Sequence, residues 1–187
     1  MFSSFTKPIA ASALLLLSLA ACSGAGNSST SCISGKTWIL DLPDLAAQLG
    51  EQLSSHGLNV TQSEGVGRQD FVFDGSGTVA SHIDVTYTIS VQKDDLTITL
   101  VQTQGGDTSG EWSWQGDTTD VVFSNWDNAG YSVQNQFLVN GVAGENSVTI
   151  PTETLGDGTV MATTCTGTTL STQVSGSPFT QHWTSEG

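Results

Sequence analysis

The stretch HIDVTYTISVQKDDLTITL, residues 82–100, decides the fold. Ile83, Val85, Tyr87, Ile89 and Val91 recur at every second position, with His82, Asp84, Thr86, Thr88 and Ser90 between them. A period of two places the first set on one face of a strand and the second on the other. Leu96, Ile98 and Leu100 repeat the pattern after Gln92, Lys93, Asp94 and Asp95, which have the composition of a hairpin turn. The stretch reads as two antiparallel strands, each apolar on one face only.

The same alternation of strand and turn signals extends outward. Turn-forming residues cluster at 74–77, 105–110, 116–118, 141–146 and 156–158. Residues 71–73, 111–115, 120–124, 131–139, 147–150, 159–165 and 169–174 read as the strands between them. Eight to ten antiparallel strands joined by short turns predict an all-β fold, a single up-and-down barrel.

One segment departs from the period of two. Leu42, Leu45, Ala46, Leu49 and Leu53 recur at helical spacing, Pro43 suits a first turn, and Asp41 and Asp44 complement the positive end of a helix dipole. Gly57 supplies the stop. One apolar stripe predicts a short N-terminal helix lying on the barrel or plugging its end.

Upstream, Lys7 precedes an apolar run over residues 9–19, and small residues follow, the order of a secretory signal with its cleavage site. That run is shorter than the roughly 17–25 residues that cross a hydrocarbon core. Leu19, Ala20, Ala21 and Cys22 end it, and they resemble the lipobox of bacterial lipoproteins. The resemblance implies a signal peptide over 1–21 and a diacylglycerol on Cys22, with the new amine acylated by a fatty acid such as palmitate. The competing reading is a plain signal peptide whose cleavage region happens to hold a cysteine. Two or three acyl chains anchor durably where one is marginal. Residues 22–31 are then a lipidated terminus and flexible linker, in which the Ser- and Gly-rich 23–31 spans roughly 15–18 Å. Residues 32–187 form the barrel domain.

The whole chain carries a net charge of −14. Beyond residue 21 only Lys36, Arg68 and Lys93 oppose all 18 carboxylates. Such a surface repels phosphate backbones and anionic headgroups, so no nucleic acid is expected as a partner, and membrane attachment is assigned to the lipid.

Four short motifs occur in order along the domain. Gly35, Lys36, Thr37 and Trp38 open it; 73–78 read F-D-G-S-G-T; Gly110, Glu111 and Trp112 start a strand; 165–170 read C-T-G-T-T-L. The series resembles the small lipocalin-like barrels of bacterial, especially actinobacterial, lipoproteins, and covers residues 35–174. Two departures from lipocalins stand out: Gly35 and Trp38 are one residue further apart than in G-x-W, and no arginine follows Arg68. The resemblance implies an extracytoplasmic, lipid-anchored domain on the outer face of the cell membrane.

With Cys22 assigned to lipid, Cys32 and Cys165 remain, either as a disulfide, which an exported location permits, or as two buried thiols. In the chain-entropy model a bridge over so long a loop contributes about 5 kcal/mol at most.

Catalytic signatures are missing. The sequence holds no G-x-S-x-G, no H-E-x-x-H and no phosphate loop, and His56, His82 and His182 are far apart. His82 and Asp84 share a strand face; Glu111, Asp117 and Asp120 are the nearest approach to a carboxylate pair. Asp94, Asp95, Asp107 and Asp127 also fall near turns, where hairpin chemistry accounts for them without calcium. Neither an enzyme nor any cofactor or metal is expected.

The aromatic residues carry the functional expectation. Trp112 and Trp114 share one strand face, Tyr131 and Phe137 another, and Tyr87 lies among the apolar positions of the opening stretch. These five either line a barrel mouth or pack a core. The first case is a binding module for an apolar or amphipathic small molecule or an envelope lipid. The second is a filled barrel serving as a structural or protein-interaction module, with an envelope protein as partner.

Overall fold

The computed structural model describes residues 32–116, 118–144, 150 and 154–186. The signal segment 1–21, Cys22, the whole linker 23–31 and Asp117 lie outside the described residues.

Among the described residues ten strands and one helix follow in order: β1 (Lys36–Leu40), α1 (Leu42–Ser55), β2 (Asn59–Phe73), β3 (Thr78–Lys93), β4 (Leu96–Trp114), β5 (Asp120–Asp127), β6 (Ser132–Val139), β7 (Val142–Ala143), β8 (Val160–Thr166), β9 (Thr169–Val174) and β10 (Gln181–Ser185). Each strand pairs antiparallel with its neighbours, in the order β3-β2-β1-β10-β9-β8-β5-β4, and a β3–β4 pairing closes these eight into a barrel-like ring. The expected all-β, up-and-down architecture with one short helix is the observed one. The β6–β7 hairpin is an extra arm on β4, outside the ring.

From 82 to 89 the opening stretch behaves as its period dictates, whereas Ser90 of the polar set is buried and Leu96 of the apolar set is exposed. Ile83, Val85, Tyr87 and Ile89 are buried, while His82 and Asp84 face solvent. Asp94, with φ of 54°, turns the chain between Lys93 and Leu96.

Three expectations are corrected. Residues 105–110 form no turn: β4 runs straight through them, pairing Gly105 with Asp84 and Asp107 with His82. Gly106 has φ of 118°, and a Cβ there would lie 1.8 Å from the Gly130 carbonyl oxygen. The glycines let a continuous strand bend where its second neighbour changes from β6 to β5. The turn expected over 141–146 sits at Asn140 and Gly141, both at positive φ, and opens the short β7. Ile150 lies outside any strand, and residues 147–149 of the strand expected there fall outside the described residues.

Two pieces of sheet show no alternation in sequence. The first half of β2 turns Ser63 and Gly65 inward, because α1 lies directly on them: Ser63 Oγ donates to the Ala46 carbonyl, and a Cβ at Gly65 would meet the Leu42 carbonyl and the Tyr87 ring. In β10 only Trp183 is buried.

The helix starts with Asp41 as N-cap, its carboxylate accepting from the Asp44 N–H at 3.1 Å. Gln48 donates to the Thr180 carbonyl at 2.6 Å, and its own side-chain oxygen accepts from the Thr180 N–H at 3.0 Å. Asp44 and His182 meet at 2.8 Å. These contacts hold α1 over one end of the ring.

The other end is filled. Trp38, Phe73, Phe123, Met161, Leu170 and Trp183 are fully buried there, and the Phe71 and Trp183 rings are 4.8 Å apart. Ile33 seals the floor and accepts through its carbonyl from the Trp38 indole at 3.0 Å. Beside it Cys32 and Cys165 form a disulfide, with Cα atoms 6.1 Å apart. The bridge ties the entry of the domain to β8. Lys36 lies over the Trp38 ring and donates to the Gly167 carbonyl at 2.6 Å.

Candidate functional site

Between α1 and the long strands β2, β3 and β4 the packing leaves a cavity of about 80 Å³. Leu45 and Leu49 of the helix form its roof, and Phe71, Ile83 and Tyr87 form its apolar wall. Gln102, Gln104, Ser81 and Thr108 bring polar groups into it from β3 and β4. Trp126 reaches it from the end of β5, and Asn128 and Tyr131 from the connection between β5 and β6, with the exposed Asn128 and Thr154 at the rim.

The polar groups form a directed row. Tyr131 donates its hydroxyl proton to Gln104 Oε1 at 3.0 Å; Gln104 donates its amide to Gln102 Oε1 at 2.9 Å; Gln102 donates onward to Asn135 Oδ1 at 2.8 Å and to the Ile150 carbonyl at 2.9 Å. Gln102 is only 1% exposed, and burial of an amide is tolerated because it is paired in this way. Ser81 breaks the pattern. It is 3% exposed, lines the cavity, and its hydroxyl has no hydrogen-bond partner among the described residues.

Burial pushes the Tyr131 phenol above its ordinary range. Burial, and then the neighbouring Tyr131, push the Tyr87 phenol up further. Both side chains are neutral hydroxyls at physiological pH. No Asp, Glu, Lys, Arg or His lines the cavity among the described residues, in a chain with 18 carboxylates.

The rim is braced by its own bonds. The Trp126 N–H donates to Asp157 at 2.8 Å, the Trp126 indole to Asn128 at 2.8 Å, and Asn128 to the Leu155 carbonyl at 3.0 Å. These contacts fasten the β5–β6 connection to the segment before β8.

Of the five aromatics singled out in sequence, Tyr87 and Tyr131 meet at the cavity. Trp112 is buried in the filled end, edge-on to Phe73 at 5.5 Å and to Trp114 at 5.6 Å, and its indole N–H has no partner among the described residues. Trp114 lines a separate surface hollow with Cys32, Cys165 and Gly167. Phe137 packs over Gly144 on the outer arm. Ser81, Gln102, Gln104 and Trp126 were not singled out in sequence. A signal for three of them exists: Ser81 precedes Ile83, and Gln102 and Gln104 follow Leu100, in the same phase as the apolar face.

The charged candidates have other occupations. His82 bonds Asp107 on the neighbouring strand at 2.7 Å, not Asp84. Glu111 accepts from Asn125 at 2.9 Å. Among the described residues no three His, Cys, Asp or Glu side chains gather as a metal-holding group, and no helix is long and apolar enough to cross a membrane.

The fold and site together define a class: a small eight-stranded antiparallel ring, filled at one end and holding at the other a helix-roofed cavity that no charged side chain lines among the described residues. Comparison of the chain with protein-family models, with curated proteins and with solved structures gives no match.

Proposed function

We propose that this protein is an exported lipoprotein, anchored through lipid on Cys22 at the outer face of the cell membrane, whose domain binds a small amphipathic molecule in the cavity beneath α1. The observation that carries the binding reading is the buried Ser81 hydroxyl without a partner, on the wall of a cavity already lined by ordered amides. A buried donor left unmade costs about 1–3 kcal/mol, which a bound molecule restores. The filled lower end leaves no room for a long acyl chain along the ring axis, so the ligand occupies only the upper end.

A second reading has its own support. Trp38, Phe73, Phe123 and Trp183 pack the lumen of the ring, as a barrel working through its outer surface requires. Native mass spectrometry of the protein extracted from its own membranes separates the two. Retention of a small molecule that is lost on Ser81→Leu, which fills the cavity, supports binding; a clean apo mass under gentle extraction supports the surface reading.

The anchor is tested by itself. Cys22→Ser should leave an uncleaved precursor or release the protein from membranes, and an unmodified mature N-terminus elsewhere would remove the anchor.

A further inference from the structure

We infer that the cavity takes an uncharged, hydroxyl-rich head group, a neutral sugar or polyol, with Ser81 and the Tyr131–Gln104–Gln102 row as its readers. The inference rests on the binding reading above and adds the chemical class of ligand.

Charge is the first discriminator. An ionised head group entering this cavity would leave water without meeting an opposite charge, since no acidic or basic side chain lines it among the described residues. An uncharged head avoids that penalty.

Hydrogen-bond polarity is the second. The row runs one way, each member donating to the next, so the Tyr131 oxygen has given its proton to Gln104 and keeps lone pairs to accept. Gln104 spends one of its two amide protons on Gln102 and has a second to donate. Ser81 Oγ both donates and accepts, and has no partner. The site therefore presents acceptors and donors side by side on a neutral wall. A hydroxyl supplies both functions from one atom. A hydrocarbon supplies neither, and an ether or ester oxygen only accepts.

Size and shape agree. About 80 Å³ holds roughly six water-sized groups, the scale of a short polyol or of the inserted half of a hexose whose remainder lies at the exposed rim of Asn128 and Thr154. Tyr87, Trp126 and Phe179 offer aromatic surface to the C–H faces of such a molecule.

The test uses the full mature chain in lipid nanodiscs and three sets of probes, read by saturation-transfer NMR and calorimetry. Glucose, galactose, mannose and myo-inositol form the neutral set; glucuronate, glucose 6-phosphate and glucosamine at pH 6 the charged set; n-octanol the apolar probe. At least one neutral probe should bind, with charged counterparts about tenfold weaker or worse. Ser81→Ala should weaken it about tenfold, one hydrogen bond's worth, while the ligand-free protein melts at the same or a higher temperature because an unmade bond is gone. Tyr131→Phe, which keeps the ring and is assayed well below its own melting temperature, should weaken the same probe by a second, independent loss of a polar contact. Equal or tighter binding of charged probes or octanol, or neutral binding indifferent to both variants, overturns the head-group assignment and leaves the binding reading standing. No binding by any probe overturns both.

Discussion

The Tyr131 hydroxyl donates to the side-chain oxygen of Gln104 across 3.0 Å, although the two residues are 27 apart in the chain. Through Gln104 it orients Gln102, which is buried beneath α1. The row thus joins the β5–β6 connection to β4. Tyr131→Phe should cost about 1–3 kcal/mol, because Gln104 loses its donor while staying largely buried. Urea unfolding of the two proteins measures this, and an unchanged midpoint would show that the row carries no stability.

The Cys32–Cys165 bridge spans 133 residues of sequence. Its removal as the Cys32→Ser, Cys165→Ser double variant should lower stability by about 2–5 kcal/mol. Peptide mapping without reductant should recover the two segments joined. Two titratable thiols in the unfolded, unreduced protein would contradict the bridge.

Gly106 is a backbone requirement. Alanine there would place its Cβ against the Gly130 carbonyl at a φ of 118°, so Gly106→Ala should destabilise by about 2 kcal/mol or more. Gly116→Ala is the control, since its φ of 59° is mildly unfavourable and the space around it is open. That change should cost only about 1 kcal/mol. Thermal melts that rank the two equally would refute the bend at Gly106.

Asp74 makes the β2–β3 hairpin acid-sensitive. The Thr78 hydroxyl first, then the Thr78 N–H and the Ser76 hydroxyl, hold its carboxyl far below the ordinary range. Its folded pKa is depressed, so its contribution is complete above the ordinary carboxylate range near pH 4 and is lost as pH falls through the lower folded value. Asp74→Asn should therefore lower the melting temperature at pH 7, and by progressively less as the pH falls below about 4. An NMR titration of the Asp74 carboxyl with an ordinary midpoint would refute the assignment.

His82 behaves in the opposite sense. Its hydrogen bond to Asp107, more than any other influence, raises its pKa. The contribution is full below the ordinary histidine range and disappears as pH rises through the folded value. Asp107→Asn should bring the His82 midpoint down, which a proton NMR titration reads directly. An unmoved midpoint would separate the pair.

Local order was legible where one physical rule acted alone. The alternation from Ile83 to Ile89 had a dry side and a wet side, so a period of two identified the strand and its buried face. The stripe of Leu42, Ala46 and Leu49 did the same for α1 at a period near four. For Cys32 and Cys165 the sequence left a disulfide and two buried thiols both open, and the approach of their Cα atoms to 6.1 Å decided for the bridge. Tyr87 and Tyr131 were legible as large side chains on strand faces, but whether such a face packs or lines a space depends on what stands opposite. Trp112 met Phe73, and Tyr131 met a gap.

By itself, the sequence determined the class of fold, the position of the helix and most of the turns, because each depends on residues within a few positions of one another. Only tertiary structure decided ring closure through the long-range β1–β10 pairing, the bend at Gly106, and the inward direction of Ser81, Gln102 and Gln104. Glycines 105, 106 and 110 suit a turn or a bent strand equally well until neighbouring backbones compete for their hydrogen bonds. Polar residues in phase with an apolar face are ambiguous for the same reason: a buried amide is tolerable only when partners from distant segments, here Asn135 and Ile150, arrive to satisfy it.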